Sequence, residues 1–272
     1  APLHDGAQFP VSSGRMAFTT DSYVVQPTFF PGGNIGKLAV CGTVNDLAMN
    51  GAVPQYLSCG LILEEGLPFD ELEEILSTMA DMAKLANVQI VTGDTKVVKK
   101  GEVDKIYINT AGIGMIPEDI HIGPNFVKPN MDIILSGSIG DHSIAVMGER
   151  FGLELSNSIK TDCAPLNHMV HAVLQEVGPQ VALLRDPTRG GVGTVLKEIA
   201  EQSQVGIKVE ESQFVIHDEV KSVCDILGYD PLYLANEGKC IFVVDPTVTD
   251  RVLDILHGFQ EGREATRIGV TM

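Results

Sequence analysis

The segment IPEDIHIGPNFVKPNMD, residues 116–132, limits the fold more than any other stretch. Its Pro and Asn residues punctuate regular structure, so it reads as a linker. On both sides, short apolar runs alternate with runs of helical period. Two α/β halves are therefore expected, 1–120 and 128–272, hinged near 120–130. A chain of 272 residues is long enough to bury a core.

In the first half, DELEEILSTMADMAKLAN (70–87) is the clearest helix. Leu72, Ile75, Leu76, Met79, Met82 and Leu85 fall on one face, and Asp70 and Glu73 have the spacing of a capping box. MAFTTDSYVV, VQIVTGD and KIYINTAGIGMI read as strands, and KLAVCGTVNDLAMNGA as a helix. In the second half, DIILSGS, VALL and KCIFVVD read as strands. HSIAVMGERF, PLNHMVHAVLQEV, VGTVLKEIAEQ and TDRVLDILHGF read as helices.

Charge narrows the function. Nineteen Lys and Arg stand against 36 Asp and Glu, a formal charge of −17. Such a field opposes binding to nucleic acid or anionic membranes. A polyphosphate substrate would need divalent cations to bridge it to carboxylates. No apolar run is long enough to span a membrane, and the first residues lack the pattern of a signal peptide; a cytoplasmic protein is expected. The five cysteines form no C-x-x-C pair and lie in apolar contexts, so buried, inert thiols are expected.

Three carboxylates stand at strand ends or in a helix: Asp21, Asp46 and Asp94. Ser22, Asn45 and Thr95 adjoin them. Hard oxygen ligands spread over several elements suit Mg²⁺, but capping and turn chemistry favours the same residues. FPGGNIGKLAV is not a Walker loop: its glycine spacing is one residue short and Leu38 replaces the hydroxyl. Lys37, at a helix start, is either a phosphate contact or a solvated side chain. RDPTRGG (185–191) precedes a helix, with Asp186 and Thr188 between two arginines. It is either an anion site or a salt-bridged turn. His142 opens a helix after SGSIGD, and Glu237 precedes a strand in ANEGK. Each is a candidate proton-transfer group or an ordinary capping or turn residue.

FTTDSYVV, FFPGGNIGKLAVCGTVNDLAMNGAVPQYLSCGLILEEGLP, TGDTKVV, SGSIGDHSIAVM, RDPTRGG and ANEGK, in this order, together resemble the HypE family of hydrogenase expression/formation proteins. That family belongs to the aminoimidazole-ribonucleotide-synthetase-like ATP-binding superfamily. The resemblance implies a two-domain PurM-like α/β (α+β) fold. The N-terminal domain would bind ATP and Mg²⁺ and pair with a second copy into a dimeric β-barrel. It also implies ATP-dependent dehydration of a carbamoyl group on a C-terminal cysteine to a thiocyanate, the source of the cyanide ligand of nickel-iron hydrogenase. Asp21, Asp46 and Asp94 match the metal-binding acids. Lys37, Asn45, Thr95, Asp186 and Thr188 match the nucleotide contacts, and Glu237 and His142 are the candidates for proton transfer. Implied partners are a second copy, a carbamoyltransferase of the HypF type, and scaffold proteins of the HypC and HypD types.

Family members begin with a glycine-rich segment and end in a cysteine tail, where this sequence has APLHDGAQF and ATRIGVTM. A truncated form, with an incomplete C-terminal domain, is therefore expected to bind ATP without completing the dehydration. The alternatives are another enzyme of the superfamily, a selenophosphate synthetase or thiamine-monophosphate kinase, or a non-catalytic ATP-binding scaffold. No cysteine precedes Cys41, where a selenophosphate synthetase would carry its reactive residue.

Overall fold

Two sheets form, one on each side of the Pro- and Asn-rich segment, in a computed structural model that describes residues 14–152 and 159–272. The first half contains β1 (Arg15–Tyr23), β2 (Phe29–Phe30), β3 (Gly33–Asn34), α1 (Ile35–Met49), β4 (Val53–Glu64), α2 (Phe69–Leu85), β5 (Gln89–Val98) and β6 (Ile106–Ile116). The second contains β7 (Asp132–Leu135), α3 (Asp141–Phe151), α4 (Asn167–Val177), β8 (Val181–Arg185), α5 (Gly191–Ser203), β9 (Ile207–Val209), α6 (Asp218–Leu227), β10 (Ile241–Val244), α7 (Thr249–His257) and β11 (Thr266–Thr271).

The first sheet has the order β1-β6-β4-β5. Only the β4–β5 pair is parallel, joined through α2. Period-two alternation decides which residues of β1 face inward. Ala17, Thr19, Asp21 and Tyr23 point toward α1, while Met16, Phe18, Thr20 and Ser22 are exposed. The second sheet, β8-β10-β7-β11-β9, is antiparallel throughout. Its central strands, DIIL and IFVV, are wholly buried. Ile134 and Phe242 face one core, with residues of α4 and α7, while Ile133 and Val243 face another, with residues of α5.

α1 joins the halves. Every residue in it is buried except Lys37 and Asp46. A helix apolar on all sides belongs inside: Val40 and Val44 pack in the first-half core, Ala48 and Met49 in the second-half core. Its N-cap is Asn34, whose side chain accepts hydrogen bonds from the Gly36 and Lys37 N–H groups.

Two local expectations fail. Pro68 caps α2 and no side-chain capping bond forms, so the Asp70 and Glu73 box is absent. Pro68 is extended, with ψ of 139°, and has no side-chain acceptor; the helix begins at Phe69, which places Asp70 inside it. The apolar stripe of α2 is also narrower than its sequence pattern: Ile75 and Met79 are buried, but Leu76 and Leu85 are exposed.

Candidate active site

The inward face of β1 meets α1 at its polar residues. Thr19 Oγ1 donates to Asp46 Oδ2 at 2.8 Å. One residue pair further along the strand, Asp21 and Tyr23 overhang the same helix. Gly42 is required here, because a Cβ would collide with the Tyr23 hydroxyl. Thr110 Oγ1 donates to the Ala39 carbonyl at 2.8 Å, so its bond to Thr43 (2.6 Å) has Thr43 as donor. Tyr23 therefore donates to Thr43, at 3.4 Å.

The second half closes the space. Beyond β8, the turn 186–191 brings in Asp186, Thr188 and Arg189; the loop before β10 brings in Glu237, and the start of α3 brings in His142. Together with Asp21, Tyr23, Gly42 and Asp46 they line a cavity of ≈ 270 Å³ between the halves. The loop carrying Glu237 is held from behind. Its N–H donates to Asp162 Oδ1 at 3.1 Å, and Lys239 Nζ reaches Asp162 Oδ2 at 3.2 Å in a buried ion pair. Gly238 packs so tightly on the Asp162 carbonyl that no Cβ fits.

The cavity is strongly acidic. Burial raises the pKa of Glu237 to about 8, and Asp162, Asp186, Asp21 and Asp46 add to the effect. Burial, then Asp46, pushes Asp186 up to about 6. Asp46 is raised by burial and by Asp21, against its hydrogen bond from Thr19. Burial first, and then the mutual repulsion of these carboxylates, favours their protonated forms. His142 is held neutral by burial, its pKa lowered despite Asp162 nearby. Its Nδ1 lies 2.8 Å from Thr161 Oγ1.

Asp21, Asp46, Asp186, Thr188, Glu237 and His142 thus line one cavity. Asp94 and Thr95 do not join them within one chain. They lie on β5, at the opposite edge of the sheet from β1. Asp21 is opposite Thr110, Thr110 opposite Cys59, and Cys59 opposite Gly93. Three strand spacings of about 4.8 Å separate Asp94 from Asp21 by roughly 14 Å. Asp94 is instead exposed and bonded to Lys96, at 2.8 Å; that bond, with the Thr95 N–H, lowers its pKa.

Asn45 faces the second half rather than the acidic cavity. Its amide donates to the carbonyls of Ala164 (3.0 Å) and Glu237 (3.3 Å) and accepts from the Leu166 N–H (2.8 Å). It clamps α1 to the second half. Lys37 donates to the Gly32 carbonyl at 2.9 Å and lines a separate groove of ≈ 600 Å³ beside Phe29, Glu74 and Glu149. Its neighbour Leu38 lines the acidic cavity, but Lys37 points to the separate groove. Sequence reasoning missed Tyr23 and the Asp162–Lys239 pair. The period-two pattern of β1, which puts residue 23 beside residue 21, could have found Tyr23.

Among the described residues, no three His, Cys, Asp or Glu side chains are close enough to hold a bare metal ion. The donor set nonetheless fits Mg²⁺ that shares its shell with phosphate. It consists of hard carboxylate oxygens in excess of positive charge, and Mg²⁺ takes only one or two protein carboxylates in such sites.

The model of the AIR synthase related protein, N-terminal domain, matches residues 4–116, and that of its C-terminal domain matches residues 128–272. The chain is 48% identical to the carbamoyl dehydratase HypE of Rhizobium leguminosarum bv. viciae, over 98% of this chain and 76% of that protein. The crystal structure of the hydrogenase maturation protein HypE in complex with ATP superposes with a TM-score of 0.96 at 47% identity, covering 99% of this chain and 80% of that one. A HypE–HypF complex gives 0.92, at 47% identity over 94% and 84% of the two chains. Among the described residues, no helix is long and apolar enough to cross a membrane.

Proposed function

The chain belongs to the HypE carbamoyl dehydratases, ATP-dependent hydrogenase maturation enzymes of the AIR synthase related family, and from that premise we propose that its acidic interdomain cavity is where a thiol-bound carbamoyl group is dehydrated. The observation that carries the reading is the convergence of Asp21, Asp46, Asp186 and Glu237 from both halves on one cavity.

The reacting end of ATP enters the cavity, where one or two of Asp21, Asp46 and Asp186 would hold its Mg²⁺ and Thr188 would lie beside the phosphates. Mg²⁺ supplies neutralisation of the phosphate charge. The amide oxygen of the carbamoyl group takes the terminal phosphoryl group of ATP, giving ADP. The C–O bond then breaks as phosphate leaves, the two N–H protons are lost, and a C≡N bond remains on sulfur. Glu237 accepts a proton from that nitrogen. Its carboxyl is poised near neutral pH, where a general base is most effective. Neutral His142 lines the same space and is a second acceptor.

The thiol belongs, by family resemblance, to a C-terminal cysteine. The five cysteines of the sequence do not suit the role: Cys41, Cys163, Cys224 and Cys240 are buried, and burial pushes half-buried Cys59 up to about 11. A HypF-type carbamoyltransferase supplies the carbamoyl group, and HypC- and HypD-type scaffolds receive the cyanide.

The outer face of the first sheet supports a homodimer. Phe18 is 70% exposed, alongside Met16 and Ile62. Apolar faces of this size mark interfaces. In a dimer that closes these sheets into a barrel, Asp94 and Thr95 would approach the partner's cavity rather than their own. Sedimentation at micromolar concentration should give a dimer, and Phe18→Glu with Met16→Glu should give a monomer. A monomeric parent chain would contradict the assembly.

Calorimetry tests the site. Mg²⁺–ATP binding should release protons between about pH 6 and 8, because Asp186 and Glu237 hold them at about 6 and about 8 until a cation arrives. Asp186→Asn should lose part of that release and most of the Mg²⁺ dependence. Binding with no proton release, or unaltered in Asp186→Asn, would overturn the site assignment.

A further inference from the structure

Arg189 sits at the rim of the acidic cavity, and three observations set it apart. Among the described residues lining that cavity it is the only Lys or Arg, facing Asp21, Asp46, Asp186 and Glu237. Among the described residues its guanidinium pairs only with Asp21 Oδ1, at 3.9 Å, and the side chain is 91% exposed. Arg185, the other arginine of the motif, is committed to Glu198 at 2.7 Å.

Its backbone, in contrast, is fixed. The Gly191 N–H donates to the Thr188 carbonyl at 3.1 Å, closing a tight turn around residues 189 and 190. Gly190 and Gly191 adopt φ of +73° and +64°, conformations that side chains rarely take. A Cβ on Gly191 would strike the carbonyls of Leu232 and Leu234 at 2.6 Å. The Pro187 carbonyl accepts from both the backbone and side-chain N–H of Asn236, each at 3.1 Å. The same segment thus positions Arg189 and Glu237, while the arginine head remains uncommitted.

We propose that Arg189 is a catalytic residue that exchanges Asp21 for the phosphoryl group in transfer. In the nucleotide-free chain it neutralises Asp21. Mg²⁺, if Asp21 held it, would supply the positive charge that Arg189 gives there, and the guanidinium, with its planar set of donors, is matched to phosphate oxygens. It stabilises the negative charge that spreads over the terminal phosphoryl group as the bond to ADP breaks and the bond to the amide oxygen forms. The exchange also explains why the ion pair with Asp21 is long and exposed: a close, buried pair would have to be broken at each turnover.

The inference rests on the reading of the cavity as a nucleotide site, and it makes a separate prediction. Arg189 competes with Mg²⁺ for Asp21 but favours only a ligand that carries the terminal phosphate. By calorimetry with Mg²⁺–ATP and Mg²⁺–ADP, Arg189→Ala should lower the preference for ATP over ADP by about 10–100-fold, the worth of one or two charge-assisted hydrogen bonds. ADP affinity should be unchanged or higher. Arg189→Lys should restore part of the preference, because it returns the charge without the fork. Turnover on a carbamoylated thiol should fall by about 10³-fold in Arg189→Ala. If the parent chain binds both nucleotides and Arg189→Ala keeps its preference for ATP, Arg189 does not touch the phosphoryl group and the inference fails alone. If the parent chain binds neither nucleotide, the site reading fails and takes this inference with it.

Discussion

Replacing Glu237 with Gln is expected to lower thiocyanate formation by about 10²–10⁴-fold while leaving Mg²⁺–ATP binding nearly intact. The range is that of a positioned general base. The two side chains have the same shape, and at neutral pH the parent carboxyl is mostly protonated in the empty cavity, so Gln imitates its resting form. Folding gives the control. The folded pKa is raised from 4.5 to about 8. The favourable contribution of the neutral carboxyl is therefore complete below pH 4.5 and is lost as pH rises through 8. Glu237→Gln has no such loss, so at pH 8 the variant should unfold at the same or a higher urea concentration than the parent. A variant that is both stable and fully active would remove Glu237 from the mechanism.

The second large effect concerns the support behind Glu237. Burial alone would raise the pKa of Asp162, but Lys239, His142 and the Glu237 N–H hold it below the usual carboxylate range. Asp162→Asn keeps an acceptor for that N–H but leaves the Lys239 ammonium buried without its charge partner. Breaking one side of a buried pair costs about 3–5 kcal/mol, which denaturant unfolding would read as a large fall in the midpoint. Adding Lys239→Met should recover most of the loss. The double variant should still dehydrate less well than the parent, because the loop that aims Glu237 keeps its N–H bond to residue 162 but loses the ionic tie from residue 239. A single variant as stable as the parent would contradict the account of this loop.

Much of this was legible in the sequence because the site lies where patterns meet. The alternation in RMAFTTDSY places Asp21 on the helix side of its strand, and the apolar character of α1 leaves Asp46 as one of its two unburied residues. The turn residues of RDPTRGG and ANEGK mark the second-half loops. What was not legible depends on sheet order. Nothing in TGDTKVV tells that β5 occupies the edge opposite β1, so Asp94 was grouped with acids that lie across the sheet. β4 escaped because Pro54, Ser58 and Gly60 interrupt it. Its pairing slips between Pro54 and Tyr56, which accommodates a residue without an N–H. Asn45 looked like a phosphate contact because it adjoins Asp46. Only the packed halves reveal that its three hydrogen bonds are spent on Ala164, Leu166 and Glu237. The short α6, with Val220, Val223 and Cys224 buried at helical spacing, carried too few apolar residues to stand out.

The most direct test of the central claim is mass spectrometry of the chain carrying an appended flexible tail that ends in a carbamoylated cysteine. With Mg²⁺ and ATP, the tail peptide should lose the mass of one water, with one phosphate released per event, and Glu237→Gln should block both. Phosphate release with the carbamoyl mass unchanged, or loss of water without ATP, would contradict it.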